Sequence, residues 1–158
     1  MSILVVRHGL SFANDKNSAA FGSPEAKLLP QGQEQGQAVG RNLQEFYGIQ
    51  PELTAAAASE MIRSEQTAQH AGFCTVNNYA VLNEVDVPKT PELRKVLDRG
   101  EVIQEARQAA ELLLANPPQE RVWFSHGYLI AALCDVTGVD TTGLRFIPRF
   151  GEIRELPI

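Results

Sequence analysis

Two apolar runs in this chain end the same way: LVVRHG at residues 4–9 and VWFSHG at residues 122–127. Each reads as a buried strand that closes on His-Gly, and the second runs directly into a helical pattern. Strands that alternate with helices form a sheet covered on both faces, and such sheets build sites beyond the carboxyl ends of their strands. Both segments therefore deliver a histidine, His8 and His126, to the edge where a site belongs. Neighbouring side chains of a strand point to opposite faces, so Arg7 and His8 can share a pocket only where the chain leaves the strand. Gly9 supplies the backbone freedom for that departure. The chain has only three histidines. Two of them end strands in this way, which favours one shared site over two unrelated edge residues.

The rest of the pattern agrees. Ile3–Val6 is a strand, 9–30 a loop, and Gln31–Tyr47 a helix with Val39, Leu43, Phe46 and Tyr47 on its apolar face and Gly48 at its end. Gly32, Gly36 and Gly40 recur on this helix as a flat stripe expected to lie close on the sheet, with the glutamines between them facing solvent. Leu53–Ala58 reads as a strand followed by a helix capped by Ser59 and running to about Ala71. Val81–Val85 reads as a short strand and 86–100 as a covering loop with one helical turn. Glu101–Ala115 is an amphipathic helix through Ala106, Leu112 and Leu113, stopped by Asn116-Pro117-Pro118. Arg121–Ser125 is a strand, Tyr128–Val136 a buried helix, and 145–150 with 152–156 a closing hairpin around Gly151. The fold class is thus α/β, a single three-layer domain over residues 1–158, with a mixed, mostly parallel sheet and helices on both faces.

Composition narrows the function. A net charge of -5 argues against a nucleic-acid partner, which calls for a basic face, but not against a locally positive pocket. The two cysteines, Cys74 and Cys134, form no CxxC pair, and Cys134 reads as a buried thiol. No apolar run approaches the length of a membrane span and no charged-then-apolar leader opens the chain, so a cytoplasmic protein without a membrane partner is expected.

At the strand ends lie two arginines (Arg7 and Arg63), two histidines, Ser59 and a carboxylate, Glu84. Guanidinium forks match phosphate oxygens in pairs, and imidazole serves as nucleophile or donor. Arginines inside the cluster would repel a zinc ion. A serine hydrolase would want a Gly-x-Ser-x-Gly elbow, which is absent from the sequence. His70 reads as a surface residue at a helix C-terminus. Lys89, Arg94 and Lys95 stand on the covering loop, where an anionic substrate or plain solvent could meet them.

Arg7-His8-Gly9 with Ser11 and Asn14 behind it resembles the signature of the histidine phosphatase superfamily, the phosphoglycerate-mutase-like proteins. The first helix, the Ser59–Arg63–Gln66-Thr67-Ala68 element, Leu82-Asn83-Glu84 and Ser125-His126-Gly127 follow in that family's order. The resemblance implies that His8 takes the phosphoryl group, that Arg7, Arg63 and His126 hold its oxygens, and that Asn14 and Ser11 contribute further contacts. It implies Glu84 as the proton donor, with Asp86 as a rival two residues along, and neither a metal nor an organic cofactor. Glu60 departs from the family pattern, where proline follows the serine, and places a carboxylate near the pocket mouth. Pro30 replaces a small hydroxyl residue. The flanking loops are short, which points to a phosphatase of the small, short-cap type. Its substrate would be a phosphorylated small molecule or a phosphoprotein, phosphohistidine included. A mutase-type phosphotransferase and a catalytically idle phosphate-binding module are the alternatives. Nothing in the sequence sets the oligomeric state.

Overall fold

The computed structural model describes residues 2–158. Five strands form one sheet: β1 (Ile3–Arg7), β2 (Ala55–Ala58), β3 (Thr75–Asn78), β4 (Val122–Ser125) and β5 (Ile153–Leu156). Their order is β3-β2-β4-β1-β5. All neighbours are parallel except β5, which runs antiparallel to β1. The helices are α1 (Pro30–Tyr47), α2 (Ile62–His70), α3 (Pro91–Asp98), α4 (Gln104–Ala115) and α5 (Gly127–Val136).

The two-residue period of the strands sorts the core into two layers. Leu4, Val6, Ala56, Ala58, Val122 and Phe124 face one side, where Val39 and Leu43 of α1 and Ala68 of α2 cover them. Val5, Ala57 and Trp123 face the other, under Ala106, Ala110 and Leu113 of α4 and Leu129, Ile130 and Leu133 of α5. Strands buried on both faces have no polar side to show, which is why β1 and β4 read as continuous apolar runs. The all-alanine β2 sits beside the bulkiest strand: Ala57 pairs with Trp123 and Ala58 with Phe124, so small side chains make room for large ones at native packing density.

Several sequence expectations change. The glycine stripe of α1 does not lie on the sheet. A Cβ at Gly32 would collide with the carbonyl of Leu10, one at Gly36 would meet His70 Cβ, and one at Gly40 would hit the carbonyl of Ala71. The stripe therefore brings α1 against α2 and against the turn after β1. Phe46 and Leu112, assigned to apolar faces, are exposed. The segment 81–85 is not a strand: residues 80–82 form a single 3₁₀ turn, and the third strand is the polar Thr75–Asn78 at the sheet edge. Residues 86–100 hold a two-turn helix capped by Thr90, whose hydroxyl accepts from Leu93 N–H at 3.1 Å. The sheet is mixed, as expected, but through β5 pairing with β1 and not through a hairpin. Residues 145–150 form no strand; the buried Arg154 holds them by donating to the carbonyls of Arg145 and Phe146 and pairs with Glu152 at 2.6 Å.

The topology sets the site. From β1 the chain passes to α1 on one face, while from the adjacent β4 it passes to α5 on the other. Between two such strands a crevice opens at their carboxyl ends, the place where open α/β sheets bind ligands. His8 follows β1 and His126 follows β4. Among the described residues no helix is long and apolar enough to cross a membrane.

Candidate active site

The two histidines meet with ring centroids 5.0 Å apart. Arg7 pairs with Ser125 in the β1–β4 ladder, and His8 N–H donates to Ser125 O at 3.1 Å, so the ladder itself aligns the two His-Gly turns. Beyond them the turn is fastened sideways. Gly9 N–H donates to Thr67 Oγ1 at 2.9 Å and Leu10 N–H to Gln35 Oε1 at 2.8 Å. Gln35 is thus a structural acceptor, unlike its exposed neighbours Gln31, Gln33 and Gln37.

His8 is buried, and its tautomer follows from its partner. Nδ1 lies 2.7 Å from Gly9 O; a carbonyl can only accept, so Nδ1 carries the proton. Nε2 is left with its lone pair, and Arg63 Nε–H approaches it at 3.3 Å. Burial, followed by the positive charge of Arg63, lowers the His8 pKa to about 3. At neutral pH the ring is an uncharged base. His126 is lowered well below its ordinary value by burial and by His8, Arg63 and Arg7. Its Nε2 is 2.8 Å from Ser59 Oγ and 3.3 Å from Ser64 Oγ. Ser59 does not cap α2; Met61 occupies the N-cap position with no side-chain cap, and the Ser59 hydroxyl is spent on His126.

Arg7 is clamped from the C-terminal segment. Its Nη1 donates to Pro148 O at 2.7 Å, and its guanidinium stacks 4.0 Å above the ring of Phe150. Burial lowers its pKa to about 10, still far above neutrality. A side chain at Gly127 would press on Ile147 and come into contact with the Arg7 guanidinium. Arg63 comes from the first turn of α2 and also donates from Nη1 to Ser23 O at 3.1 Å.

Glu84 reaches the site across the start of α5. Its carboxylate accepts from Tyr128 N–H at 3.0 Å, Leu129 N–H at 3.1 Å and Val85 N–H at 3.1 Å. Ser125 Oγ holds the preceding turn by donating to Leu82 O at 2.7 Å. Burial raises the pKa of Glu84, against the pull of those amides and of Arg7. Asp86 lines the same cleft. Glu60, in contrast, is paired with Asn83, which donates to its carboxylate at 2.9 Å.

Arg7, His8, Asn14, Arg63, Glu84 and His126 all line one cleft of about 900 Å³. Ser11 does not line it: its hydroxyl donates to Asn14 Oδ1 at 2.9 Å and accepts from Ala13 N–H, closing a capping box on the turn 12–14. Sequence reasoning misses three contributors. Phe150 and Ile147 lie in a segment that reads as a strand of a closing hairpin, and Tyr128 reads as one more apolar residue of α5. The arginines of that segment, Arg145 and Arg149, are the one available signal that it borders an anion site.

Among the described residues three buried polar side-chain atoms lack a partner, and two of them, Arg7 Nε and His126 Nδ1, are here. Buried polar groups are nearly always paired, so two unpartnered groups beside a neutral imidazole mark a place built for an external acceptor.

The fold places a cleft centred on two histidines and lined by two arginines at the switch point of an α/β sheet. The model of the histidine phosphatase superfamily (branch 1) matches residues 3–97, and the chain belongs to that superfamily. Among solved structures it is similar to TTHB049 from Thermus thermophilus, with a TM-score of 0.67 at 19% identity over 98% of this chain and 92% of that one. It is similar to the mycobacterial glucosyl-3-phosphoglycerate phosphatase Rv2419c in complex with VO3, with a TM-score of 0.64 at 20% identity over 98% and 90%. It also resembles Rv3214 of Mycobacterium tuberculosis, with a TM-score of 0.60 at 19% identity over 98% and 89%. These likenesses establish the fold. No curated protein matches the chain in sequence.

Proposed function

We propose that the protein is a phosphomonoester phosphatase that works through a phosphohistidine on His8 Nε2 and needs no metal. The observation that carries this is the neutral, correctly tautomerised His8 facing Arg63, beside the unpartnered Arg7 Nε and His126 Nδ1. Superfamily membership and the phosphatase among the structural neighbours support the reaction class.

In the first step Nε2 attacks phosphorus and the bond to the leaving oxygen breaks. Glu84, whose pKa burial raises, gives that oxygen its proton. Arg7 and Arg63 meet the equatorial oxygens with charge-assisted bonds that strengthen as charge gathers there. Ser59, its oxygen already accepting from Met61 N–H at 3.3 Å, donates to His126 Nε2 and so fixes the proton on Nδ1 as another donor. In the second step the Glu84 carboxylate takes a proton from water, the water oxygen bonds to phosphorus, and the P–N bond breaks to restore the lone pair of His8. Arginines and histidine fill the roles a metal would otherwise take. We place the enzyme in the cytoplasm, acting on a phosphorylated metabolite or phosphoprotein.

Rapid quenching during turnover of nitrophenyl phosphate should trap an acid-labile, base-stable phosphate that His8→Ala abolishes, and chelators should not reduce it. Turnover that depends on added zinc or magnesium, or label on His126, would overturn the assignment.

A further inference from the structure

A second cavity, of about 580 Å³, opens between α3 and the first turn of α5. It is continuous with the reactive cleft, because Lys89, Leu97 and Tyr128 line both. Its composition is unlike that of the cleft. Leu93 and Leu97 supply an apolar wall, and the ring of Tyr128 forms a second side. Arg94 and Asp98, one turn apart on α3, also line it. The Lys89 ammonium sits at the junction, 4.5 Å from the centre of the Tyr128 ring and 3.2 Å from its hydroxyl. Among the described residues neither Lys89 nor Arg94 takes part in an ion pair. Two unneutralised cations against one carboxylate, in a chain whose total charge is -5, are a local reversal of sign.

The helix that forms this wall has its own peculiarity. No residue of α3 is fully buried, although Leu93, Val96 and Leu97 lean on the core formed with α4 and α5. A short helix that half covers an apolar surface leaves room for a ligand to complete the packing.

We propose that this cavity is the leaving-group subsite, and that the substrate is a phosphomonoester whose alcohol has an apolar body and a second anionic group at its far end. The phosphoryl group occupies the His8 cleft, the apolar body lies along Leu93, Leu97 and Tyr128, and the distal anion meets Arg94, with Lys89 flanking the path. A bidentate guanidinium suits a carboxylate or a second phosphate equally. This subsite rests on the phosphatase reading of His8, and the test separates the two.

The probes are phosphomonoesters of ω-hydroxyalkanoic acids of increasing chain length, each paired with its uncharged methyl ester. The free acids should be preferred in kcat/KM at one chain length by about tenfold, the worth of one charge-assisted contact. The preference should be carried by KM. Arg94→Ala should abolish it, and Arg94→Glu should reverse it. Replacement of the acid by a second phosphate distinguishes the two anions by the same ratio. A parallel calorimetric titration of His8→Asn with the same pairs reads the subsite without any chemistry. Failure to hydrolyse any ester, with the acid still bound more tightly than the methyl ester, would remove the phosphatase reading and leave the subsite standing. Equal kcat/KM and equal affinity for acid and ester at every length would overturn the subsite, as would a preference that survives Arg94→Ala. So would a phosphopeptide turned over faster than every small ester and unaffected by Arg94→Glu.

Discussion

Replacing His8 by asparagine should change how stability depends on acid, by an amount the site itself sets. In the unfolded chain the imidazole titrates near 6.5, and in the folded protein near 3. Between those values the unfolded state binds one more proton at this position, so stability rises with pH through the window. The contribution is whole above pH 6.5 and is lost progressively as pH falls toward 3. One fully displaced group gives a slope of about 1.4 kcal/mol per pH unit. Integrated from about pH 7.5 to 4.5, His8 alone removes on the order of 3 kcal/mol of stability. His126 is shifted in the same direction and adds slope of the same sign. Glu84, raised by burial, opposes them, because the folded state then keeps a proton that the unfolded state has released. Comparison of parent and His8→Asn isolates the His8 share. Urea unfolding in phosphate-free buffer across that pH range should show the variant gaining on the order of 3 kcal/mol on the parent as the pH drops. Parallel stability curves would mean that His8 keeps its ordinary pKa in the folded protein, and the argument that burial and Arg63 lower it would fall.

The remaining expectations concern single contacts. Arg63→Ala should slow turnover by about a hundredfold or more, and Arg63→Lys should not restore it, since a point charge cannot make both the contact to His8 and the fork; near-parent kcat in either variant would take α2 out of the site. Glu84→Gln should slow labelling of His8 by alkyl phosphates far more than by nitrophenyl phosphate, while Asp86→Asn should spare both; equal slowing would remove Glu84 as the acid. The raised pKa of Glu84 also fixes the sign of the alkaline limb: kcat for alkyl phosphates should fall as pH rises through it, and the limb should vanish in Glu84→Gln. Gly32→Ala should cost about 1–3 kcal/mol and depress kcat through the displaced turn, whereas Gln33→Ala next to it should stay within about 0.5 kcal/mol; chemical denaturation of the two variants decides.

Legibility of the chain follows locality. The His-Gly turns are readable because one strand and one turn carry all the information: a buried apolar run, then a residue free to leave it. Glu84 is legible by motif, although the segment before it is a 3₁₀ turn, since Val81, Leu82 and Val85 pack on the core as strand residues would. β3 escapes notice because it is an edge strand of Thr, Val and two Asn whose side chains bond sideways, Asn78 Nδ2 to Ser59 O at 3.0 Å and Asn77 Nδ2 to Glu120 at 2.6 Å. Residues 145–150 mimic a strand in composition but are shaped by the guanidinium of Arg154 a few residues along, an interaction that periodicity does not register. The glycine stripe is recognisable as a surface for close approach, yet its partner is not, because periodicity says which face is flat and not what lies against it.

That close approach has a mechanical consequence. The turn after β1, α1 and α2 are joined through carbonyl contacts at Gly32 and Gly40 and through the Thr67 and Gln35 acceptors, so they form one rigid body. His8 and Arg63 both belong to it. Glu84 belongs to the opposite side, fastened to α5 and the turn before it, while His126 bridges the two through Ser59 and Ser64. Any breathing of the cleft therefore keeps the nucleophile registered to its arginine and varies its distance from the acid. On the proposed mechanism, a released alcohol would leave on the α3 side while the phosphoryl group stays seated on the His8 half.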